Sequence, residues 1–386
     1  MVHQISEPLN SSFPQASGLY VHIPFCQTKC PYCNFYSVPQ LSKIPDFLDA
    51  LLKEIAMAGS EWDCFDTVYI GGGTPSVLGP QQLEKILSAI RNYFPLAPGT
   101  EITLETNPAD LHLSYLTSLK EIGINRLNLG IQSFDPKTLQ FLGRRHSVRD
   151  AISALEGSRQ VGFDHMGLDL IYGVPGQRME SWINTLSQAI AFSPEHISCY
   201  QLTLEEDTPL GISCHQGNFS FPPEEELFDF FMVTAQKLEE GRFIHYEVSN
   251  FAREDRYASR HNQKYWNHTP YLGLGPAAHS FSGRKRWWNY RSVDQYISVV
   301  NAAELPIEGS ENLSLEQLRM EAFFLGLRTK KGIDVKDFCR KYQYDLMSEK
   351  GKVLLRLQED GFLSYRDGRL RPTRTGLAVA DSLALL

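Results

Sequence analysis

The chain has 386 residues, of which 42% are hydrophobic and 21% charged, and its formal charge at pH 7 is −8. This composition is typical of an ordinary soluble protein with one large domain and a smaller second one, and the negative charge disfavours nucleic acid as the main partner. No run of about 18 apolar residues could span a bilayer, and the N-terminal tail, residues 1–18, is polar rather than signal-like. We therefore expect a cytoplasmic protein.

Six short apolar segments alternate with amphipathic segments from residue 19 to residue 240. The predicted strands are residues 19–24, 67–70, 101–105, 126–131, 166–172 and 196–204. The predicted helices are residues 44–58, 80–93, 114–122, 148–161, 179–191 and 224–240. Apolar strands that alternate with helices predict a parallel sheet covered by helices, and both a doubly wound sheet and a curved, barrel-like sheet fit this pattern.

Polar side chains at the predicted strand ends favour the barrel-like sheet. Cys26 follows the first strand, Gly71-Gly72-Gly73-Thr74 follows the second, and Glu105 ends the third; Gln132 follows the fourth, and Asp169 lies inside the fifth. Groups from many consecutive strand ends converge on one centre in a barrel. In a doubly wound sheet, by contrast, ligands bind at one switch point. The prediction is an α/β fold with an incomplete (β/α)6 barrel over residues 19–240.

Beyond residue 240 the alternation stops. Residues 241–311 are rich in aromatic residues, histidine and glycine, and are interpreted as a connecting and covering segment. Helical patterns return at residues 315–327, 334–342 and 348–360, and Asp367-Gly368 is a hairpin turn signal. Residues 312–386 are therefore predicted to form a helical, winged-helix-like domain. Its arginines are interpreted as solvated hairpin charges rather than a DNA-binding surface.

Cys26, Cys30 and Cys33 are close enough in sequence to hold one metal centre. A [4Fe–4S] cubane usually takes four cysteines, but Phe35 follows two positions after Cys33. A cubane held here would keep one iron free for a small molecule. Zinc with His22 as fourth ligand is the alternative, although structural zinc sites usually draw ligands from two short clusters. An odd number of cysteines without a signal peptide argues against disulfides.

The remaining four cysteines are scattered along the chain and are interpreted as small, buried apolar residues. They are Cys64, Cys199, Cys214 and Cys339.

The cysteine loop, with Tyr32 between its second and third cysteines, resembles that of the radical S-adenosylmethionine superfamily. The strings YVHIPFC, GGGTP, ETNP, GIQSF, LGRRH and DLIYGVPGQ resemble its HemN-like branch over essentially the whole chain. The resemblance implies a [4Fe–4S] cluster on the three cysteines and S-adenosylmethionine chelated to the open iron. In this superfamily, an electron from the reduced cluster cleaves S-adenosylmethionine to methionine and a 5′-deoxyadenosyl radical, which implies an electron donor as a partner.

The same resemblance implies a set of residues that contact S-adenosylmethionine. They are Tyr20, Tyr32, Gly72, Gly73, Thr74, Glu105, Gln132, Arg144 and Asp169. The chemistry agrees, because glycines let a backbone approach a ligand closely and Asp169 would be costly to bury unpaired. A plain tight turn is the alternative for the glycines, and a surface charge beside Arg145 is the alternative for Arg144.

Two functions of different classes are found in this branch. One is oxygen-independent coproporphyrinogen III dehydrogenase, an enzyme that oxidatively decarboxylates two propionates. The other is the heme chaperone of the HemW group, which delivers heme to apoproteins. Phe35 in place of a fourth cysteine, a short segment before the first strand and the HNQKYW string at residues 261–266 favour the chaperone. Whether S-adenosylmethionine is cleaved, and hence whether the chain is an enzyme, stays open.

This resemblance adds heme as a third cofactor and a heme-accepting apoprotein as a partner, through which the chain would contact a membrane peripherally. His261, Tyr265 and Trp266 are predicted to bind heme, because imidazole is a common axial ligand and aromatic rings pack on a flat macrocycle. His268 and His279 are rival ligands. The alternative for this string is a structural role in the connecting segment. The sequence indicates no oligomeric state.

Overall fold

A computed structural model of the chain describes residues 16–59 and 62–383. Most of the predicted polar tail, residues 1–15, lies outside the described residues. Over these described residues the fold is α/β, with one 12-stranded sheet and one three-stranded sheet. The strands are β1 Ser17–Ile23, β2 Phe65–Gly72, β3 Leu96–Thr106, β4 Arg126–Gln132, β5 Met166–Tyr172, β6 His196–Gln201, β7 Ile244–Glu247, β8 Asn250–Ala252, β9 Tyr271–Leu274, β10 His279–Ser282, β11 Lys285–Asn289, β12 Ile307–Asn312, β13 Ile333–Asp334, β14 Leu363–Arg366 and β15 Arg369–Pro372.

The helices mostly follow strands in the first two thirds of the chain and cluster together in the last third. They are α1 Ile44–Ala58, α2 Pro80–Tyr93, α3 Leu113–Glu121, α4 Pro136–Phe141, α5 Val148–Val161, α6 Met179–Ala191, α7 Pro209–His215, α8 Glu224–Glu240, α9 Arg260–Trp266, α10 Val293–Asn301, α11 Leu315–Leu327, α12 Val335–Tyr342, α13 Leu346–Glu359, α14 Arg374–Ala378 and α15 Ala380–Leu383. Short 3-10 turns lie at Leu41–Lys43, Pro75–Val77, Pro108–Asp110 and Asp255–Tyr257.

The six predicted strands are confirmed as β1 to β6, and they are parallel and adjacent in chain order. Crossovers between parallel strands are right-handed. Because the spatial order of β1 to β6 never reverses, all the connecting helices lie on one face of the sheet. The other face of the strands then encloses an interior. This topology is the barrel-like one, because a doubly wound sheet reverses its strand order at the switch point.

Five of the six predicted barrel helices have the predicted bounds, and α3 begins and ends one residue earlier. Helix α5 shows why the local signals were sufficient. Ser147 and Asp150 form a capping box at its start, and Gly162 ends it in the left-handed region with φ 88°. Helices α4 and α7 were not predicted, because six or seven residues are too few to show a helical period.

Residues 241–311 do more than connect the two domains. They contribute six strands that extend the sheet at both edges, with β8 and β7 beyond β6, and β9, β10, β11 and β12 beyond β1. These strands have three to six residues each. Strands this short show no clear alternation, so the sequence pattern did not reveal them.

The C-terminal part contains the three predicted helices as α11, α12 and α13, followed by the β14–β15 hairpin. Asp367 and Gly368 have φ values of 53° and 73°, the positive pair that a type I′ turn requires. The three-stranded sheet has the order β13-β15-β14. The hydrophobic core of this part includes Phe281 of β10, so the domain packs directly on the extended sheet.

None of the helices in the described ranges combines the length and the apolar character that a membrane crossing requires.

Candidate cluster and cofactor site

The loop after β1 carries the three predicted cluster ligands. Cys26 is buried, and Cys30 and Cys33 are half-buried. The Cys26 Sγ lies 3.2 Å from the Thr74 Oγ1 atom in the loop after β2. Burial raises the pKa of the Cys33 thiol, and the neighbouring Cys30 and Cys26 raise it further. The three sulfur groups therefore interact electrostatically, and a bound cationic cluster would stabilise all three as thiolates.

The zinc alternative fails at His22. Its Nε2 lies 2.9 Å from the Tyr36 carbonyl oxygen, and its Nδ1 lies 2.9 Å from the Tyr20 hydroxyl. Both imidazole nitrogens are thus engaged within the protein. Within residues 16–59 and 62–383, no three His, Cys, Asp or Glu side chains surround a position for a single ion. In a cubane, each thiolate binds a different iron, so the three cysteines fit a cluster better than one ion.

All seven cysteines are free thiols. Of the four outside the loop, Cys199 is buried as predicted, whereas Cys64, Cys214 and Cys339 are half-buried.

A cavity of about 500 Å³ lies beside the cysteine loop at the strand ends, and we call it the cofactor cavity. This volume is in the range of roughly 300–1,000 Å³ that small-molecule sites occupy. Its walls include Cys33 and eight of the nine residues predicted to contact S-adenosylmethionine. The eight are Tyr32, Gly72, Gly73, Thr74, Glu105, Gln132, Arg144 and Asp169. The ninth, Tyr20, lines a neighbouring cavity instead.

Two carboxyl groups dominate the electrostatics of the cofactor cavity. Glu105 Oε1 accepts a hydrogen bond of 2.7 Å from the Tyr69 hydroxyl, and Oε2 accepts one of 3.2 Å from the Gly72 amide. Desolvation raises the pKa of Glu105 to about 7 and that of Asp169 to about 6. Asp169 Oδ1 is buried without a hydrogen-bond partner among the described residues. The wall therefore suits a cationic ligand that would pair with these carboxylates.

Arg144 points into the site rather than to the surface. Its Nη1 donates to the Cys30 Sγ at 3.3 Å and its Nη2 donates to the Gly130 carbonyl oxygen at 2.8 Å, while its Nε is buried without a partner among the described residues. Arg145 points away and pairs with Asp110 at 2.6 Å. Arg144 is therefore not a surface charge, the alternative considered for it from the sequence, whereas Arg145 is directed away from the site.

Gln132 has a strained backbone, with φ 64° at the end of β4. The register of β4 against β5 shifts between Leu129 and Gln132. A buried non-glycine residue in the left-handed region is uncommon and clusters at functional sites. The irregularity places Gln132 in the cavity wall beside Arg144.

The glycine run is required by contacts inside the protein. Gly72 has φ 113°, and a Cβ there would lie 2.6 Å from the His22 ring. A Cβ on Gly73 would lie 2.6 Å from the Phe25 carbonyl oxygen. The glycines therefore let the β2 end pack against the cysteine loop, a more specific role than the ligand approach expected from the sequence.

The predicted heme residues lie in different environments. His261 is 1% exposed, its Nδ1 lies 2.8 Å from the Thr67 Oγ1, and its Nε2 lies 2.8 Å from the Tyr265 hydroxyl. Desolvation lowers the pKa of His261 to about 3. Trp266 packs against Tyr246, and Tyr265 lines the cavity that also contains Tyr20. Both nitrogens of His261 are already used in the core, so its geometry favours the structural alternative over the predicted role as a heme ligand.

Sequence reasoning missed Asn128, whose Nδ2 donates to the Asp169 Oδ2 at 2.6 Å. It is a polar residue within an otherwise apolar strand, the same signal that singled out Asp169. Tyr200, Gln201 and Leu202 also line the cofactor cavity. They lie at the end of β6, the one predicted strand end for which no site residue was proposed.

Comparison with known proteins agrees with this geometry. Residues 20–189 match the Radical SAM superfamily, and residues 313–379 match the HemN C-terminal domain. The chain is 34% identical to a Mycobacterium tuberculosis protein named heme chaperone HemW, with 96% of this chain and 94% of that protein covered. It is 33% identical to the Bacillus subtilis protein of the same name, with 94% and 97% covered. The chain belongs to the HemW family.

The fold of this HemW-family chain is also that of a solved relative. Escherichia coli coproporphyrinogen III oxidase, HemN, superposes with a TM-score of 0.83 over 96% of this chain and 90% of that chain. Sequence identity is only 23%, so the match shows the common fold. The prediction of a radical SAM fold in the HemN-like branch, with HemW as the nearer group, is confirmed.

Proposed function

We propose that this chain is a heme chaperone that holds a [4Fe–4S] cluster, binds S-adenosylmethionine and passes heme to an acceptor apoprotein. The observation that carries the proposal is its identity of 32–36% to bacterial proteins named heme chaperone HemW, over 89–96% of its length. The second candidate function is that of coproporphyrinogen dehydrogenase, and it is favoured by the similarity of the fold to that of HemN.

The residues of the cysteine loop suit a cluster with one open iron. Cys26, Cys30 and Cys33 supply three thiolates, and Phe35, which is 70% exposed, stands where the dehydrogenase motif has a fourth. Arg144 lies against Cys30 at 3.3 Å and would stabilise its thiolate. The cluster, once bound and reduced, would supply an electron to S-adenosylmethionine.

The cofactor cavity offers charges that complement S-adenosylmethionine. Glu105 and Asp169 would attract its ammonium and sulfonium groups, and Arg144 would attract its carboxylate. Asn128 holds one oxygen of Asp169 and thereby directs the unpaired oxygen to the ligand. A donor that reduces the cluster and an apoprotein that receives heme are the partners this function requires, and membrane contact would come through the acceptor.

The test is anaerobic reconstitution with iron and sulfide, followed by parallel assays of heme binding and coproporphyrinogen III conversion. We expect about four irons per chain on the usual cubane composition, stoichiometric hemin binding and no protoporphyrinogen. Cys30→Ala should lose the iron, whereas Cys64→Ala, with a thiol far along the chain from the loop, should retain it. Conversion of coproporphyrinogen without hemin binding would replace the chaperone by the dehydrogenase.

A further inference from the structure

A second cavity of about 500 Å³ opens beside the cofactor cavity, and we call it the aromatic cavity. Asn34 and Phe35 of the cysteine loop line both. Its other walls come from β1 and from β9, β10, β11 and their neighbouring segments, the strands that extend the sheet. Its rings include those of Tyr20, Phe35, Tyr36, Tyr265, Tyr271 and Trp288. No residue of the S-adenosylmethionine set other than Tyr20 lies in these walls.

His279 of β10 stands in the wall of the aromatic cavity with an exposed ring. The ring stacks against Trp288, with centroids 5.9 Å apart and an interplanar angle of 29°. Neither ring nitrogen has a hydrogen bond or an ion pair with a described residue. Partial burial lowers the pKa of His279, and the positive charge of Arg286 lowers it further. The imidazole is therefore neutral near pH 7, the form that binds metals.

The neighbouring histidines lack either free ring nitrogens or a place in the wall of the aromatic cavity. His261 and His22 use both ring nitrogens in hydrogen bonds. His268 has a mostly buried side chain whose Nδ1 lies 3.2 Å from the Tyr342 hydroxyl; its Nε2 has no hydrogen bond among the described residues, but the ring does not line the aromatic cavity. His279 is thus the histidine of this region that combines free nitrogens with a cavity in front of them.

Arg291 supplies a cation in the wall of the aromatic cavity. Its guanidinium lies 5.5 Å from the centre of the Tyr36 ring, and it forms no ion pair with a described residue. An unpaired guanidinium is the preferred partner of a carboxylate, which it binds through two parallel hydrogen bonds. Glu308 is an acidic residue in the same wall, and its negative charge would repel a second carboxylate of the ligand. That second carboxylate would therefore point to solvent.

We propose that the aromatic cavity is the heme site, with His279 as the axial ligand of the iron and Arg291 as the partner of one propionate. The inference rests on the proposed function, since it names the heme site of that chaperone. Aromatic walls, one free imidazole and one free guanidinium together match a flat, apolar, iron-containing macrocycle that carries carboxylates. The shared wall at Asn34 and Phe35 places this heme next to the cluster loop.

The first experiment titrates the reconstituted full-length protein with hemin and follows the Soret band. His279→Ala should lose affinity by about tenfold or more, a change of about 1.4 kcal/mol or more, and its spectrum should differ from that of the unchanged protein. Added imidazole should restore the spectrum, which a purely structural defect would not allow. His268→Ala, a buried neighbour outside the cavity, is the matched control and should bind hemin normally once its fold is verified by iron content.

A second pair of variants keeps the test decisive if His279→Ala folds poorly. His279→Tyr keeps an aromatic ring that strands accept readily, and a tyrosinate ligand, as in catalase, should give a distinct ferric spectrum. Arg291→Gln should weaken binding of hemin several-fold but leave binding of hemin dimethyl ester unchanged, because the ester has no carboxylates for the guanidinium.

The outcomes separate the two proposals. Absence of hemin binding in the unchanged protein would overturn the proposed function itself. Normal hemin affinity and an unchanged spectrum in both folded His279 variants would leave that function standing and remove His279 from the site. Equal effects of Arg291→Gln on hemin and its dimethyl ester would remove Arg291 as the propionate partner.

Discussion

The chemistry of the cofactor cavity depends on two carboxyl groups whose pKa values are raised toward neutrality. Glu105 and Asp169 are isolated from water in the barrel interior, and the charge of Asp169 raises the pKa of Glu105 further. In the protein alone, both are partly protonated near pH 6 to 7. A cationic ligand needs them ionised, so ligand binding and proton release are coupled.

We therefore predict that the affinity for S-adenosylmethionine rises with pH between about 5.5 and 7.5, the window set by the pKa values of about 6 and about 7. Glu105→Gln should lower the affinity by about 10- to 100-fold, since hydrogen bonds to charged groups contribute roughly 1.5–3 kcal/mol. The same change should remove the upper part of the pH dependence, and calorimetric titration across this range would measure both.

The exposed Glu84 of α2 offers a control, since Glu84→Gln should change neither the affinity nor its pH profile. A flat profile in the unchanged protein would show that the two carboxyl groups do not contact the cationic part of the ligand. Iron content must stay constant throughout, because Glu105 and Asp169 do not contact the cysteines that hold the cluster.

At the scale of elements, His261 connects α9 to the barrel. Its Nδ1 lies against Thr67, which is buried in β2, and its Nε2 lies against Tyr265 one turn along the same helix. The backbone amide of His261 also donates to Glu101 Oε1 in β3 at 3.3 Å. One side chain and its amide thus link three elements through hydrogen bonds, the kind of structural role that was the alternative for the HNQKYW string.

His261→Ala should therefore lower stability by about 2–4 kcal/mol, since it leaves two buried hydroxyl groups with fewer partners and removes packing. Urea unfolding would measure the loss. The folded fraction should still bind hemin with normal affinity. His112→Ala, at an exposed position before α3, should leave stability nearly unchanged. Loss of hemin binding in a His261→Ala protein that is otherwise folded would return the heme site to this histidine.

The same elements show what the sequence could reveal and what it could not. Long helices such as α1 and α5, with 15 and 14 residues, show several turns of amphipathic pattern, and α5 also has clear caps, so their bounds were predicted to the residue. The cofactor cavity was largely predictable, since the carboxyl ends of sequential parallel strands must meet. The direction of the His261 side chain was not predictable, because a motif gives residue identity and not the neighbours that occupy its nitrogens.

The aromatic cavity was also beyond local sequence patterns. Tyr20 of β1, Tyr265 of α9 and Trp288 of β11 are distant in sequence, and they meet because β9 pairs with β1 and carries β10 and β11 with it. The strands involved have four or five residues, too few for a period. The free nitrogens of His279 become evident only when the partners of every other histidine are known.

At the scale of the whole molecule, the C-terminal domain and the barrel sheet form one structure with shared contacts. Phe281 of β10 belongs to the core of the domain, two residues from His279. On the opposite edge of the sheet, Arg328 after α11 reaches Glu247 of β7 and Asp381 of α15. The Val248 amide donates to the Arg328 carbonyl oxygen at 3.0 Å. The domain therefore contacts both extensions of the sheet, the one with the aromatic cavity included.

The Arg328–Glu247 pair is the ionic contact that should matter most for this docking. Glu247 is 2% exposed, and its Oε1 accepts from the Arg328 Nη2 at 3.2 Å. Its Oε2 accepts from the Ser249 amide and from the Asn250 side chain at 2.9 and 2.6 Å. A buried carboxylate that loses its cation is left uncompensated, which is costly even where replacing the whole pair is nearly neutral.

Arg328→Met should therefore lower the free energy of unfolding by about 2–4 kcal/mol, a range reduced from that of fully buried pairs because the guanidinium is partly solvated. Glu247→Gln should cost less, because it leaves a cation that can turn to solvent. The double variant should lose less free energy of unfolding than the sum of the two single losses, and the difference, the coupling energy, should be about 1 kcal/mol or more. Urea unfolding of all four proteins would measure this cycle, and strictly additive losses would show that the pair does not hold the domain to the sheet.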